Sequence, residues 1–336
     1  MSEKNLSDTS EKNLSDMKEQ VLALCKKHQF AQALGVASEW YHLALKELGQ
    51  EHLETALMLR YLGVIHQGLG RYLEAEPFLR KSLGIKVKLL GEKHPEVIEE
   101  VDNLAMFYQT IGKFKEAETL MKKSLELNAQ TAGEASPAVA IHLHNLSKLY
   151  NQLGKYKQAI ELIKQASAID SKYLGENHPN VVISLSNVAA LYVAMKDYTN
   201  AEEYAKKGLD RAMEVLGDEH VNVAISLNTL AILYRNTNRF AEAEPLYKRA
   251  LEINTKLLGE EHPNVSTTLN NLATLYGNMK KYDQAIALMK RVLVIDTKQY
   301  GRSHPTVKLS LSSLAALYQA MGKNDEAEKV LQDFAK

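Results

Sequence analysis

Leu258–Tyr276 reads LGEEHPNVSTTLNNLATLY, and its pattern returns every 42 residues. The glycine after the leucine stands at Gly49, Gly91, Gly133, Gly175, Gly217, Gly259 and Gly301 with no slip in register. A fixed period of this length marks a solenoid, in which each unit buries its apolar face against its neighbours. Within the stretch, Pro263 sits where a helix can start, because its missing N–H would be unpaired there anyway. Leu269, Leu272 and Tyr276 then fall at i, i+3 and i+7, one apolar helix face. A break follows near Lys280, where the equivalent positions are Gly70, Gly112, Gly154, Lys196, Asn238 and Gly322, residue types that end helices in the left-handed region or tolerate it. A second helix runs from about Tyr282 to Tyr300, so each unit reads as two antiparallel helices, A and B.

Working outward, Ala33, Ala75, Ala117, Ala159, Ala201, Ala243, Ala285 and Ala327 occupy one equivalent position in helix B. A methyl group recurring without exception implies a close approach of two helices. The tyrosines Tyr108, Tyr150, Tyr192, Tyr234, Tyr276 and Tyr318 form a column in helix A, and Phe30, Tyr72, Phe114, Tyr156, Tyr198, Phe240 and Tyr282 another at the start of helix B. Both stripes read as core. Residues 1–16 hold a tandem SEKNLSD and read as a polar, disordered tail. The rest, 17–336, reads as one solenoid domain, all-α, of about seven to eight antiparallel helix pairs.

Composition narrows the function. Lys+Arg and Asp+Glu both total 41, which leaves no net field for nucleic acid or an acidic membrane. No run is apolar enough for a membrane span, and no secretory leader is visible. With Cys25 alone there is no internal disulfide, which fits a reducing compartment and a cytoplasmic location.

Six histidines, His52, His94, His178, His220, His262 and His304, share one place in the turn before helix A, with Ser136 in the seventh. One per repeat is a local hydrogen-bonding task, not a converging metal site. No phosphate loop, nucleophile elbow or metalloprotease helix is present. The chain reads as a non-enzyme without metal or cofactor. The basic pairs of helix B, such as Lys206-Lys207 and Lys248-Arg249, follow Glu202 and Glu244 by four residues and read as a locally balanced solvated face.

One helix-A column changes from unit to unit: Arg60, Asp102, His144, Ser186, Asn228, Asn270 and Ser312. Four and seven residues on come positions such as Lys148 and Asn151, Ile232 and Arg235, Thr274 and Gly277. Variation on a regular scaffold suits recognition. Asn amides offer donors and an acceptor, and Arg60, Lys148 and Arg235 can bond carboxylates.

Leu-Ala…Tyr in helix A, then aromatic and Ala in helix B, with LGEEHP between units, resembles the tetratricopeptide repeat (TPR) domain of kinesin light chains and their relatives. That resemblance implies a right-handed TPR superhelix and an adaptor that binds partners in its concave groove. It further implies that the Asn of the LN-x-LA context, here Asn228 and Asn270, contacts a peptide backbone; Ser186 and Ser312 depart from that pattern. The expected groove residues are therefore Asn228, Asn270, Arg235, His144, Lys148, Asn151, Ser186, Thr274 and Arg60, holding an extended, acid-containing peptide. The alternative is a structural or oligomerising scaffold that packs through its convex face or its repeat ends, or the regulatory arm of a larger complex.

Overall fold

In the computed structural model the backbone is described for residues 3–302 and 304–335, and the side chains for 12–302 and 304–332. Among these residues every regular element is an α-helix. The chain divides into two compact units, Met1–Leu153 and Gly154–Lys336, where the repeat had suggested one domain.

The first unit holds α1 (Glu3–Lys26), α2 (Phe30–Leu48), α3 (Leu53–Gly68), α4 (Tyr72–Leu90), α5 (Pro95–Thr110), α6 (Phe114–Ala132) and α7 (Pro137–Gln152). The second holds α8 (Tyr156–Leu174), α9 (Pro179–Ala194), α10 (Tyr198–Leu216), α11 (Val221–Asn236), α12 (Phe240–Leu258), α13 (Pro263–Asn278), α14 (Tyr282–Tyr300), α15 (Pro305–Ala320) and α16 (Asn324–Ala335). From α3 to α15 helices A have 16 residues, and from α2 to α14 helices B have 19, whereas α1 has 24. Within each unit consecutive helices pack on one another, and in the second unit α11 also touches both α9 and α13.

The 42-residue signature has direct local causes. Gly259 ends α12 at φ 87°, ψ 160°, a region closed to residues with a Cβ. His262 is the N-cap of α13: its Nδ1 accepts the Asn264 amide at 3.1 Å, and Pro263 follows as the first helical residue. The same bond is made by His52, His94, His178, His220 and His304, and Ser136 accepts from the Val139 amide at 3.4 Å. Between A and B, His28, Lys196, Asn238 and Lys280 hold φ of 55–60° where the remaining repeats use glycine.

The alanine column is closed to solvent in both units: seven of its members are 0% exposed and Ala327 is 1%. Of the aromatic stripes, Tyr108, Tyr150, Tyr234 and Tyr276 are buried, whereas the first residues of helix B lie nearer the surface, Tyr72 at 40%. The tyrosine hydroxyls also leave the apolar core. Tyr108 donates to Glu76 at 2.8 Å, Tyr150 to Glu118 and Tyr276 to Glu244, each at 3.0 Å. Those glutamates pair in turn with the basic residue four positions on: Arg80, Lys122 and Lys248. The helix-B charges are thus balanced within the surface, as the sequence suggests.

The N-terminal segment differs from its expectation. Residues 1 and 2 lie outside the described range, but the polar stretch expected to be a disordered tail is helical from Glu3 onward. Leu14 is 6% exposed and joins Val21, Ala33 and Trp40 in one apolar cluster. Leu14, Met17, Val21 and Leu24 recur at three- and four-residue steps, so the amphipathic face of α1 begins before Met17.

Candidate functional site

In the second unit, Asn270 and Thr274 lie on α13 beside a cleft of about 390 Å³ between α13 and α15. Its walls are uncharged: Ala273, Gly277, Asn278, Ser313, Ala316 and Leu317 contribute, with Tyr282 and Met289 from α14. Gly277 opens the space. Equivalent positions carry Gln67, Gln109, Asn151, Val193, Arg235 and Gln319, and a Cβ at Gly277 would already come within 3.3 Å of Leu317. Asn270 is half-buried, and the Thr274 hydroxyl donates to its carbonyl at 2.8 Å.

Arg235 on α11 is half-buried, with one hydrogen bond, Nη2 to Asn236 Oδ1 at 3.4 Å. Its charge is felt by Tyr247 of α12. Burial pushes that phenol up to about 12, and the guanidinium pulls it the other way. The Tyr247 hydroxyl is buried without a hydrogen-bond partner among the described residues.

Two residues expected to meet a ligand are instead committed inside the second unit. Ser186 is 2% exposed, and its hydroxyl shares a hydrogen bond of 2.8 Å with Ser226. Asn228 donates through Nδ2 to Thr268 Oγ1 at 2.9 Å and to the Ala224 carbonyl at 3.1 Å. Its Oδ1 is closed off from solvent. Both Nδ2 hydrogens are committed and the unpartnered Oδ1 is shielded, so Asn228, like the buried Ser186, is left out of the proposed groove.

The first unit shows the same commitment at Arg60. It lies 3.1 Å from Glu99 and 3.8 Å from Glu100, whose carboxylate also accepts from the buried Lys86 at 2.9 Å. Asp102 pairs with His142 at 3.3 Å, and His142 Nε2 lies 2.7 Å from Asn128 Nδ2. His144 is half-buried on α7, while Lys148 and Asn151 are exposed on the same face, four and seven residues on. The units do not share these residues: Arg60, His144, Lys148 and Asn151 belong to the first, and Ser186, Asn228, Arg235, Asn270 and Thr274 to the second.

A common rule underlies the ties. The varying residue of one helix A meets the residue 40 positions on, in the next helix A: Arg60 with Glu100, Asp102 with His142, Ser186 with Ser226, Asn228 with Thr268. At these four positions the column residue varies together with its partner. Reading each residue beside the one 40 further on would have exposed this from sequence.

Among the described residues no group of three or more His, Cys, Asp and Glu side chains is placed to hold a metal ion. No helix among them is long and apolar enough to cross a membrane.

Paired helices of this kind, stacked A on B at a fixed period, define a helical repeat protein. Tetratricopeptide repeat models match residues 55–96 and, in overlapping windows, 97–172, 150–212, 180–256, 230–298 and 265–333. The chain belongs to the tetratricopeptide repeat family. No curated protein matches it significantly. Among solved structures it is similar to BtubC (BKLC) from P. vanneervenii, with 24% identity over 70% of this chain and 94% of that one, at a TM-score of 0.54. It is also similar to the quorum sensor NprR from B. thuringiensis in its apo form, with 14% identity over 97% and 86% and a TM-score of 0.62. A Podosopora anserina protein described as kinesin-light-chain-like, with nearly identical TPR-like repeats, is 28% identical over 61% of this chain and 97% of its own, at a TM-score of 0.48.

Proposed function

We propose that the chain is a non-enzymatic adaptor that holds an extended, acid-containing peptide on the A helices of its second unit. The observation that carries this reading is the α13–α15 cleft, uncharged and bordered by the polar groups of Asn270 and Thr274. An amide such as Asn270 can donate to and accept from the backbone of an extended chain, as a sheet edge does. The cleft takes one side chain of that peptide. Arg235, with no carboxylate partner among the described residues, supplies a charge-assisted bond to an acid. In the first unit, Lys148 and Asn151 offer exposed polar contacts of the same kind.

The test is a pull-down with the wild type beside Asn270→Ala/Arg235→Ala, followed by titration of the recovered segment as a synthetic peptide. Partners lost by the variant, with an unchanged melting temperature, support the adaptor reading. An identical set of partners overturns it and moves function to the outer face or to self-association through the repeat ends.

A further inference from the structure

Helix B carries a large apolar residue at one position in the other complete units: Tyr41, Leu83, Leu125, Leu209, Leu251 and Leu293. In α8 that position is Ser167. The side chain in question covers the next helix A. Leu209 packs on the cluster that contains Val223 and Leu227, and Leu251 on the one with Val265 and Leu269. Where the leucine is missing, the cover is missing. Val181 and Leu185 of α9 are half-exposed, although their equivalents are buried in the other units: Val97, Val139, Val223, Val265 and Val307 at 4% or less, and Leu59, Leu143, Leu227, Leu269 and Leu311 at 8% or less.

The result is a pocket of about 750 Å³ on the B-helix face of the second unit, between α8 and α10, with Val181 and Leu185 as its floor. Ser167 and Ser171 form one wall, and the other carries Lys207, Asp210, Arg211 and Glu214, with Glu176 from the turn before α9. Arg211 is already engaged, 2.8 Å from Glu214 and hydrogen-bonded to Asn177. The equivalent edge in the first unit is closed by Lys123 and Glu92 at 3.3 Å, whereas no ion pair joins Lys207 and Glu176 among the described residues. Two carboxylates, Glu176 and Asp210, therefore face the pocket against one ammonium, that of Lys207.

We propose that this pocket is a docking site for a partner segment that supplies the missing side chain: an aliphatic residue of leucine size, with a lysine or arginine close to it in the same segment. The aliphatic group fills the place of the absent leucine over Val181 and Leu185, and the basic group meets Glu176 and Asp210. Burial of the exposed apolar floor provides the affinity, and the carboxylates orient the segment. This site shares no residue with the α13–α15 cleft and is independent of it.

Ser167→Leu tests the assignment without risk to the fold, since it restores the residue of the other repeats. A displayed library of 16-residue peptides is selected on the whole wild-type chain. Each selected peptide is then titrated by fluorescence anisotropy against wild type, Ser167→Leu, Glu176→Gln/Asp210→Asn and Asn270→Ala. Thermal melts confirm that Ser167→Leu is at least as stable as wild type. The expected result is a set of peptides with Leu, Ile or Met beside Lys or Arg that bind Ser167→Leu and the charge variant at least ten-fold more weakly and Asn270→Ala as tightly as wild type. The proposal is overturned if no selected peptide distinguishes Ser167→Leu from wild type, if those that do carry no basic residue, or if they respond only to Asn270→Ala.

Discussion

Asn228 Nδ2 donates to Thr268 Oγ1 across 2.9 Å, tying α11 to α13. Thr268 is 0% exposed, also accepts from Asn254 Nδ2 at 3.2 Å, and donates to the Asn264 carbonyl at 2.9 Å. One hydroxyl thus joins three helices. Thr268→Val keeps the shape and strands two buried amide donors, so it should cost about 1–3 kcal/mol. In a double-mutant cycle with Asn228→Ala, the pair should show a coupling of roughly 0.5–3 kcal/mol by urea unfolding. Additive effects would mean the two side chains do not act as a unit, and Asn228 would return to the candidate groove residues.

Glu100 is the corresponding node of the first unit, and it is charged. Its side chain is 1% exposed, 2.9 Å from Lys86 at 5% and 3.8 Å from Arg60. Removing one partner of a buried ion pair leaves the other charge stranded. Glu100→Ala should therefore destabilise by about 3–5 kcal/mol, while Glu100→Leu combined with Lys86→Met should recover most of the loss. Calorimetric melts of the three proteins check this. A double variant as unstable as the single one would show that the cost lies in packing and not in the unpaired charge.

These two nodes mark where the sequence is legible and where it is not. Gly259, His262 and the alanine column perform the same task in each unit, so repetition reveals the task. Asn228 and Arg60 perform the same task with different atoms, and the side chain that compensates lies 40 residues away in the next helix A. Variation there looks like recognition until the partner is read beside it. The α13–α15 cleft depends on what Gly277 lacks, and a missing side chain announces itself only against its column. Ser167 is the same kind of signal. Leu14 was obscured by its polar neighbours, because a single apolar face two turns long is easily outweighed by average composition.

The ion pairs of Glu202, Glu244 and Glu76 should fail in acid. Glu202 is held below the ordinary glutamate value of 4.5, first by Lys206 at 2.8 Å and also by Arg239 at 2.9 Å. Glu244 is lowered in the same way, chiefly by Lys248 at 2.7 Å, and Glu76 chiefly by Lys113 at 2.7 Å. Since the folded-state value lies under the unfolded one, the unfolded chain takes up protons first as pH falls. The stabilisation is complete above the unfolded-state value and is lost as pH drops through the depressed folded-state values. Urea unfolding midpoints should hold steady from neutral pH down to about 5 and then fall steeply toward about 3. Glu202→Gln should be less stable at neutral pH and should fall less steeply over that acid window, because one of the groups whose protonation drives the loss is gone. Parallel acid profiles for wild type and Glu202→Gln would show that the Lys206–Glu202–Arg239 bridge, which joins α10 to the N-cap of α12, contributes nothing to the folded state.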